Sequence, residues 1–554
     1  MSLGRASAIA LSLAALAGGF LTVAPGPASA AGPAPSPSTG GYPPALVKQK
    51  LTWSECYPDA GYPELLCAAV KTPQDWARPN GPTITVAISR IVASDPAKRR
   101  GVLFTNPGGP GGSGIALPLS IEYYEPDVAA AYDVIGLDPR GVGASTPNLD
   151  CGAGSTLGAL YDLDGRDTSA ANQKAFRTLD VDYANQCSKT PLARYITTAQ
   201  TVRDFDLVRA VLGEKKISYV GFSFGTWIGA SYASVFPDRT DRFVLDGNID
   251  FSSSTSYSSA IRQPLGFQNS YQRFLEPWIA KYDGVYGLGA TAKAVHATLE
   301  KRRAQLAKHA LPLADGSTLT ASGYDSGIIG ALYYTGYYDS VATPLSILER
   351  YATATDDEKQ VVADWFGSGS DGGNGDDVFW ATECQDTPSP SYARVVDDTN
   401  RFRTAYPLAG ANWNAYPCPF FTLPTTGSQI NSAKLPPLLM LNNTDDPATP
   451  LANAVLARAH TPNARLVVVK DQPDHTIYAY GDDCADGYAN TFLLQGRLPA
   501  KDTTCPGRPL PEPAALEAPM ALSKAAARAD GGAGMPIPVW VEQFNREHGP
   551  AVVH

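Results

Sequence analysis

The sequence predicts an α/β fold with a mostly parallel central sheet and a large, mainly helical cap inserted between sheet strands. Short apolar runs, typical of strands buried on both faces, alternate with helical patterns as far as residue 250. Residues 251–430 then carry aromatic-rich helical patterns. Strand signals return after residue 431, and one interrupted sheet explains this more simply than three separate domains.

The expected strands are apolar runs rich in β-branched and aliphatic residues. Between them, residues 198–213 have apolar side chains at helical spacing and end in glycine, which predicts a helix. A strand, a helix and a strand joined by short loops imply parallel pairing with right-handed crossovers. The predicted strands are 83–93, 101–106, 132–138, 217–222, 242–247, 436–443 and 465–471.

The composition is that of a globular protein without a nucleic-acid partner. The chain has 554 residues, of which 44% are hydrophobic and 18% charged. Its formal net charge of −10 argues against nucleic-acid binding, which requires a basic face.

The first thirty residues have the pattern of a secretory signal peptide. Arg5 precedes an apolar run at 8–23, and Ala28-Ser29-Ala30 supplies the small residues of a cleavage site. The apolar run is shorter than the roughly 18 residues that a membrane span needs. We therefore expect a secreted, extracellular protein that is not held in a membrane after cleavage, and a monomer.

The chain divides into six segments on these grounds, and ordered structure is expected to begin near Leu51. The segments are a signal peptide (1–30), a linker or pro-segment (31–45), the first part of the core (46–250), the helical cap (251–430), the second part of the core (431–510) and a C-terminal extension (511–554).

The eight cysteines indicate disulfides, which persist in exported proteins. A metal site is the alternative, but the chain has no C-x-x-C motif and its histidines are scattered, so no metal or cofactor is expected. Spacing does not prove connectivity; we expect sequential pairs, namely Cys56 with Cys67, Cys151 with Cys187, Cys384 with Cys418, and Cys484 with Cys505.

The stretch GFSFG places Ser223 between Gly221 and Gly225, where a predicted strand becomes a helix. Glycines on both sides allow a sharp backbone turn that lifts the serine hydroxyl above the edge of the sheet, at the amino end of the helix. This is the arrangement of a nucleophilic serine. By itself the short motif is weak evidence, but its position between strand and helix supports it.

A nucleophilic serine needs a base, and in this type of fold the base follows the last sheet strands. His475 lies four residues after the predicted strand 465–471 and is our candidate. His460 ends a helical pattern, where histidine is an ordinary capping residue. The other histidines lie in the cap or in the C-terminal tail: His296, His309, His548 and His554.

The acid that orients the base should follow the preceding strand, where Asp445 and Asp446 stand. We favour Asp446, because it opens the turn D-P-A-T-P, whose prolines restrict its geometry. Asp246 also ends a strand and stays an alternative, as does a purely structural turn aspartate.

The glycine-rich stretch NPGGPGGSG follows a strand and can turn backbone N–H groups towards an oxyanion. We expect the N–H groups of Gly109 and Phe224 to be the donors. A dinucleotide-binding loop is the alternative, since G-x-G-x-x-G can be read from Gly109 to Gly114, but two prolines remove donors there.

With these motifs together, the chain resembles the secreted tripeptidyl aminopeptidases of streptomycetes, relatives of the proline iminopeptidases within the α/β-hydrolases. The resemblance extends from about residue 51 to 505 and is carried by NPGGPGGSG, YDVIGLDPRGVGASTP, GFSFGTWIGASYASVFPDR, FVLDGNID, DDPATP and LLQGRLPAKDTTC. It implies an α/β-hydrolase fold, a triad of Ser223, Asp446 and His475, and an oxyanion site at Gly109. It also implies release of short peptides, commonly tripeptides, from free N-termini.

Two departures from the family pattern concern the substrate pocket. Pro107 stands where proline iminopeptidases have histidine, and Phe222, Phe224 and Trp227 stand where relatives often have tyrosine. The resemblance therefore does not define the residue preferred at the cleaved bond.

An exopeptidase must also bind the α-ammonium group of its substrate, and carboxylates suit that task. Glu383 and Asp386 flank Cys384 in the cap and are our candidates, with solvated surface acids as the alternative. Two other functions stay open: a secreted esterase or lipase with the same triad, and a non-catalytic extracellular binding module.

Overall fold

A ten-stranded sheet forms the centre of the structure, a computed structural model that describes residues 42–367, 374–513 and 551–553. The predicted signal peptide, most of the predicted linker and most of the C-terminal extension lie outside these residues. The strands are β1 Ser54–Glu55, β2 Leu66–Pro73, β3 Thr83–Ile91, β4 Val102–Asn106, β5 Asp133–Leu137, β6 Ile217–Phe222, β7 Thr240–Asp246, β8 Leu311–Pro312, β9 Thr318–Leu319, β10 Leu438–Asn443, β11 Ala464–Lys470 and β12 Thr503–Pro506.

Helices cover the sheet and fill the segment between β7 and β10. The α-helices are α1 Pro44–Val47, α2 Leu117–Tyr124, α3 Pro126–Ala131, α4 Gly154–Asp162, α5 Ala170–Lys189, α6 Thr198–Val211, α7 Phe224–Val235, α8 Tyr257–Ala260, α9 Gln263–Ser270, α10 Glu276–Lys281, α11 Asp283–Tyr286, α12 Ala292–Leu306, α13 Ala321–Ala331, α14 Tyr337–Glu349, α15 Asp356–Phe366, α16 Asn374–Asp386, α17 Tyr392–Ala405, α18 Pro407–Gly410, α19 Leu451–Ala459 and α20 Asp483–Gln495.

The predicted fold class is confirmed. The strand order is β1-β2-β3-β5-β4-β6-β7-β10-β11-β12, and every neighbouring pair from β5 to β12 is parallel. The pairs β1–β2, β2–β3 and β3–β5 are antiparallel. Strands β8 and β9 form a separate antiparallel pair within the helical segment between β7 and β10, which we call the helical insertion.

The parallel strands end at one edge of the sheet. Asn106 of β4 pairs with Gly221 of β6, and Phe222 of β6 pairs with Asp246 of β7. Asp246 pairs in turn with Leu441 of β10. The loops that leave these strands therefore open at a common rim, which is where parallel sheets carry their binding sites.

The sheet is buried on both faces, as its continuous apolar strands require. Successive residues of β4 and β6 point to opposite faces, so that Phe104 and Tyr219 pack in one apolar cluster while Leu103 and Val220 pack in another. Helices α6 and α7 cover the first face, whereas α2 and α20 contribute to the second.

The helical insertion has an apolar core of its own, which includes Trp278, Tyr324 and Leu345. Helices α4 and α5 come from the segment before β6, yet they pack in a cluster with α16 of the insertion through residues such as Leu160 and Trp380. The helical cover over the sheet therefore draws on residues 154–189 as well as on the predicted cap at 251–430.

The expectation that ordered structure begins near Leu51 is wrong. The described chain starts at Tyr42, whose ring lies 5.2 Å from that of Trp76 and whose hydroxyl donates to Asp206. Leu46 of α1 also packs against the sheet cluster. Contacts with Asp206 and Trp76 thus hold Tyr42 in place, although sequence composition assigned this residue to the linker.

The sequential disulfides are confirmed: Cys56–Cys67, Cys151–Cys187, Cys384–Cys418 and Cys484–Cys505. Among the helices in the described ranges, none is both long enough and apolar enough to cross a membrane.

Candidate active site

Ser223 occupies the tight turn between β6 and α7. Its backbone has φ 53° and ψ −122°, a conformation that a non-glycine residue adopts only when its surroundings impose it. Ser223 N–H donates to Asp246 O at 2.8 Å, and Thr226 N–H donates to Ser223 O at 2.9 Å. A Cβ atom at Gly225 would lie 2.8 Å from Asn106 O, which explains the glycine there.

His475 and Asp446 form a buried pair. His475 Nδ1 lies 3.0 Å from Asp446 Oδ1 and 3.1 Å from Oδ2, and the two residues are 3% and 1% exposed. The N–H groups of Ala448 and Thr449 donate to Asp446 Oδ1 at 3.0 and 2.7 Å, and Thr449 Oγ1 donates to Oδ2 at 2.8 Å. These donors hold the carboxylate against the imidazole, where it can accept a proton from Nδ1, an arrangement that would leave Nε2 unprotonated.

The two alternative aspartates have other partners. Asp445 accepts from Arg273 and from Thr444 Oγ1, the latter at 2.7 Å. Asp246 Oδ2 accepts from the N–H groups of Ile477 and Tyr478 at 2.7 and 2.8 Å. Asp246 therefore anchors the backbone just after His475 and does not contact the imidazole through this oxygen.

Ser223 and His475 are brought to the same rim of the sheet. The main-chain oxygen of Asp246 accepts from Ser223 N–H. Its side-chain Oδ2 accepts from the two backbone N–H groups that follow closely after His475. A Cβ atom at Gly247, the next residue, would lie 3.3 Å from His475 Cε1. The imidazole therefore stands over the end of β7, the strand that neighbours the one leading into Ser223.

The glycine-rich loop after β4 packs directly on the turn at Ser223. Gly108 has φ +95°, and a Cβ atom there would lie 2.5 Å from Phe222 O and 2.8 Å from Phe224 N. Phe224 is the first residue of α7, where an N–H group has no intrahelical acceptor. Gly109 and Phe224 line one cavity with Ser223, so both predicted oxyanion donors lie beside the serine.

This loop is held by Asp138, a residue just past the end of β5. Asp138 Oδ1 accepts from Ser113 Oγ at 2.6 Å and from Gly114 N–H at 2.9 Å. Burial raises the pKa of Asp138 to about 6, and these hydrogen bonds act in the opposite direction.

A cavity of about 370 Å³ lies above Ser223, between the sheet edge and the helices. Its walls combine aliphatic residues near the triad candidates, such as Ile249 and Ala448, with a group of aromatic side chains. The aromatic residues are Tyr161, Phe224, Phe379, Trp380, Trp413 and Tyr416.

The two candidate amine-binding acids lie in different places. Glu383 lines the cavity; its Oε1 accepts from Ser256 Oγ at 2.8 Å and from the Tyr416 hydroxyl at 3.4 Å. Burial raises the pKa of Glu383 above its usual value. Asp386 is instead turned to the start of α6, where its Oδ1 accepts from Thr198 N–H at 2.8 Å, and it is not among the residues that line this cavity.

Several residues of the site were not predicted. Thr449 follows Asp446 by three residues, a spacing typical of side-chain-capped turns, and that signal could have identified it. Tyr333, which accepts from His475 N–H at 2.9 Å, comes from the helical insertion, and no local pattern connects the two segments.

Comparison with known proteins agrees with this geometry. Residues 101–481 match a family model described as alpha/beta hydrolase fold. The chain is 32% identical over 482 residues to a tripeptidyl aminopeptidase from Streptomyces lividans, covering 84% of this chain and 88% of that protein. It is 29% identical over 485 residues to the serine protease Hip1 of Mycobacterium tuberculosis, covering 82% and 91%. It is 30% identical over 524 residues to a carboxylesterase B of the same species, covering 90% and 98%.

Proposed function

Because this chain belongs to the α/β-hydrolase family, in the group of the tripeptidyl aminopeptidases, and is a serine hydrolase, we propose that it is a peptidase that releases short peptides from free N-termini. Tripeptides are the expected product. The substrates are peptides or proteins with an unblocked α-amino group. Its disulfides fit an extracellular site of action, in agreement with the signal-peptide pattern of the sequence.

The reaction is acyl transfer through Ser223. His475 removes the hydroxyl proton, and Ser223 Oγ attacks the peptide carbonyl to form a tetrahedral intermediate. The N–H groups of Gly109 and Phe224 donate to its oxyanion, and each such donor contributes about 3 kcal/mol. The proton passes from His475 to the leaving amine, and water then releases the short peptide from the acyl-enzyme.

Asp446 keeps His475 in the productive orientation throughout this cycle. Its carboxylate accepts the Nδ1 proton and stabilises the imidazolium that forms when Ser223 is deprotonated. Because Thr449 and two backbone N–H groups also donate to the carboxylate, its position and orientation are fixed.

The observation that carries the exopeptidase proposal is the position of Glu383 in the cavity that contains Ser223. A carboxylate that is only 7% exposed is costly unless a cation meets it. The α-ammonium group of a substrate supplies that cation, with the opposite end of the short peptide at Ser223. Asp386 is not assigned this role, because it binds Thr198 and lies outside the cavity wall.

Products from one unblocked decapeptide and from its N-acetylated twin test this proposal. We expect mass spectrometry to find short N-terminal fragments from the free peptide and almost none from the acetylated one. Glu383→Gln should lower kcat/KM for the free peptide by about 10²-fold, the usual cost of removing one partner of a buried ion pair. Asp386→Asn should leave the ratio between free and acetylated substrates unchanged.

The carboxylesterase relative favours a second candidate, an esterase with the same triad. An esterase has no use for an ammonium-binding acid. Equal turnover of the free and acetylated peptides, or a preference for simple acyl esters over both, would support the esterase and overturn the peptidase proposal.

A further inference from the structure

The loop that carries His475 is fastened to the helical insertion. His475 N–H donates to Tyr333 O at 2.9 Å, and the Tyr333 ring meets the imidazole edge-on with 5.5 Å between ring centroids. Thr335 N–H donates to Asp474 Oδ1 at 2.6 Å. The turn between α13 and α14 therefore holds two consecutive residues, Asp474 through its side chain and His475, the proposed base, through its backbone.

Asp474 is a buried carboxylate with a defined set of donors. It is fully buried, and besides Thr335 N–H it accepts at Oδ2 from Gln472 Nε2 at 2.5 Å and from Arg508 Nη2 at 3.2 Å. A buried carboxylate is tolerated only when such donors compensate its lost hydration. Burial raises the pKa of Asp474, and the Arg508 charge opposes that shift.

Arg508 comes from the chain just after β12 and spans the loop from the other side. Its N–H donates to Gln472 Oε1 at 2.8 Å and its Nη1 donates to Tyr480 O at 3.0 Å. The guanidinium lies 4.6 Å from the centre of the Tyr480 ring, and the Tyr480 hydroxyl donates to Thr476 O. Arg508 therefore contacts residues on both sides of His475.

The same tail continues onto the helical insertion. Leu510 packs against the apolar cluster of the insertion, and Pro511 O accepts from Trp278 Nε1 at 2.7 Å. Neither Asp474 nor Arg508 lines the cavity above Ser223. Their contacts are with the loop and the insertion, so they do not meet substrate there.

We propose that Asp474 and Arg508 are positioning residues that, with the turn at 333–335, hold the backbone of His475 so that its imidazole stays aligned between Asp446 and Ser223. This inference rests on the roles proposed above for Ser223, Asp446 and His475. Loss of either positioning residue lets the histidine loop move relative to the serine. Because sub-ångström alignment governs proton transfer, turnover suffers more than substrate binding does.

The test measures labelling of Ser223 by a small fluorophosphonate, together with kcat and KM for a free tripeptide anilide. We expect Arg508→Met and Asp474→Asn each to slow labelling and to lower kcat by about tenfold to hundredfold, with KM changed much less. Arg508→Lys should recover part of the rate, since lysine keeps the charge but cannot bind Asp474 and Tyr480 O together. Each single variant leaves one member of the Asp474–Arg508 pair without its charged partner. The double variant Asp474→Asn/Arg508→Met removes both charges. Its loss of kcat should therefore be smaller than the product of the two single losses.

Arg99→Met is the matched control. Arg99 pairs with Asp133, the first residue of β5, at the amino ends of the parallel strands and thus away from the rim that carries Ser223. Its loss should therefore lower stability without slowing labelling. Labelling and kcat of Arg508→Met equal to those of the Arg99→Met control would overturn the proposal. Absence of labelling in the unaltered protein would instead contradict the proposed function, so the two failures are distinguishable.

Discussion

Three aspartates near the imidazole have different tasks because their partners differ. Asp446 accepts from Thr449 and lies against His475, Asp445 accepts from Arg273, and Asp246 accepts from the backbone after the histidine. All three are aspartates at the carboxyl end of a parallel strand, Asp246 as the last residue of β7 and the other two just after β10. Their hydrogen bonds separate the proposed orienting acid from two anchoring carboxylates.

Asp446→Asn should lower kcat by about 10³–10⁴-fold, because an amide that donates towards Nδ1 favours the wrong imidazole tautomer. KM and the far-UV circular dichroism spectrum should stay close to those of the unaltered protein. Asp445→Asn is the matched control, since that neighbouring carboxylate contacts Arg273 instead. A kcat for Asp446→Asn within a few fold of the control would contradict the assignment.

The sequence alone could narrow the site but not complete it. Ser223 could be predicted because it lies between glycines where a strand becomes a helix. His475 could be predicted because the chain has only six histidines and this one follows a late sheet strand. Adjacent acids such as Asp445 and Asp446 could be ranked only weakly, since a shift of one residue in a loop changes the direction of a side chain completely. The contact of Tyr333 with His475 joins distant segments, and no local pattern reports such packing.

At the scale of elements, the loop after β4 and the turn after β6 depend on one another. Gly108 is the closest point of contact: its φ of +95° and its approach to Phe222 O both exclude a side chain. Gly109 follows Gly108 in the loop after β4, and Phe224 lies in the turn after β6 that Gly108 approaches. This contact therefore determines where the N–H groups of Gly109 and Phe224 lie.

Gly108→Ala should therefore lower kcat by about 10²-fold through displaced oxyanion donors, with a smaller effect on KM. Gly158→Ala in α4 is the control, because a Cβ atom there meets no other atom within 4 Å and alanine favours helices. Steady-state kinetics and thermal unfolding of both variants provide the measurement. Unchanged kcat in Gly108→Ala would mean that the loop does not supply the donors.

The disulfide Cys384–Cys418 ties α16, which carries Glu383, to the segment that carries Tyr416. Replacing both cysteines by alanine should cost about 3–4 kcal/mol of unfolding free energy, given their sequence separation of 34. KM for free peptides should rise as Glu383 loses its fixed position, while labelling of Ser223 stays unchanged. Removing Cys484–Cys505, which links α20 to β12, should lower stability without this effect on KM.

Elements were predictable where local pattern and burial coincide. Strand β6 was predicted at its observed bounds, and β4 within one residue, because all their residues are buried and most are apolar, aromatic or β-branched. Strands β2 and β12 and helices α4 and α5 were not predicted. β12 spans only Thr503–Pro506 and includes a proline, so its pairing with β11 is a tertiary effect that overrides weak local propensity.

At the scale of the whole molecule, buried carboxyl groups couple stability to pH. Burial raises the pKa of Asp180 to about 8 and that of Asp246 to about 7, from an ordinary value of 3.8. Between that ordinary value and the raised one, the unfolded chain has released its proton while the folded chain retains it. The folded state therefore loses stability as pH rises through this window.

We accordingly expect the free energy of unfolding to fall between pH 5 and pH 8, as measured by urea denaturation. Asp180→Asn should make this slope shallower, because the amide binds no proton in either state. Asp59→Asn, at an exposed position, should leave the slope unchanged. Stability that increases steadily from pH 5 to pH 8 would contradict the prediction.

The most direct test of the central claim is the site and rate of phosphonylation by diisopropyl fluorophosphate, followed by intact-protein and peptide mass spectrometry. The account predicts one adduct, on the peptide that contains Ser223, which is absent in Ser223→Ala and strongly slowed in His475→Gln. An adduct on another residue, no adduct in folded protein, or an equal rate in His475→Gln would contradict it.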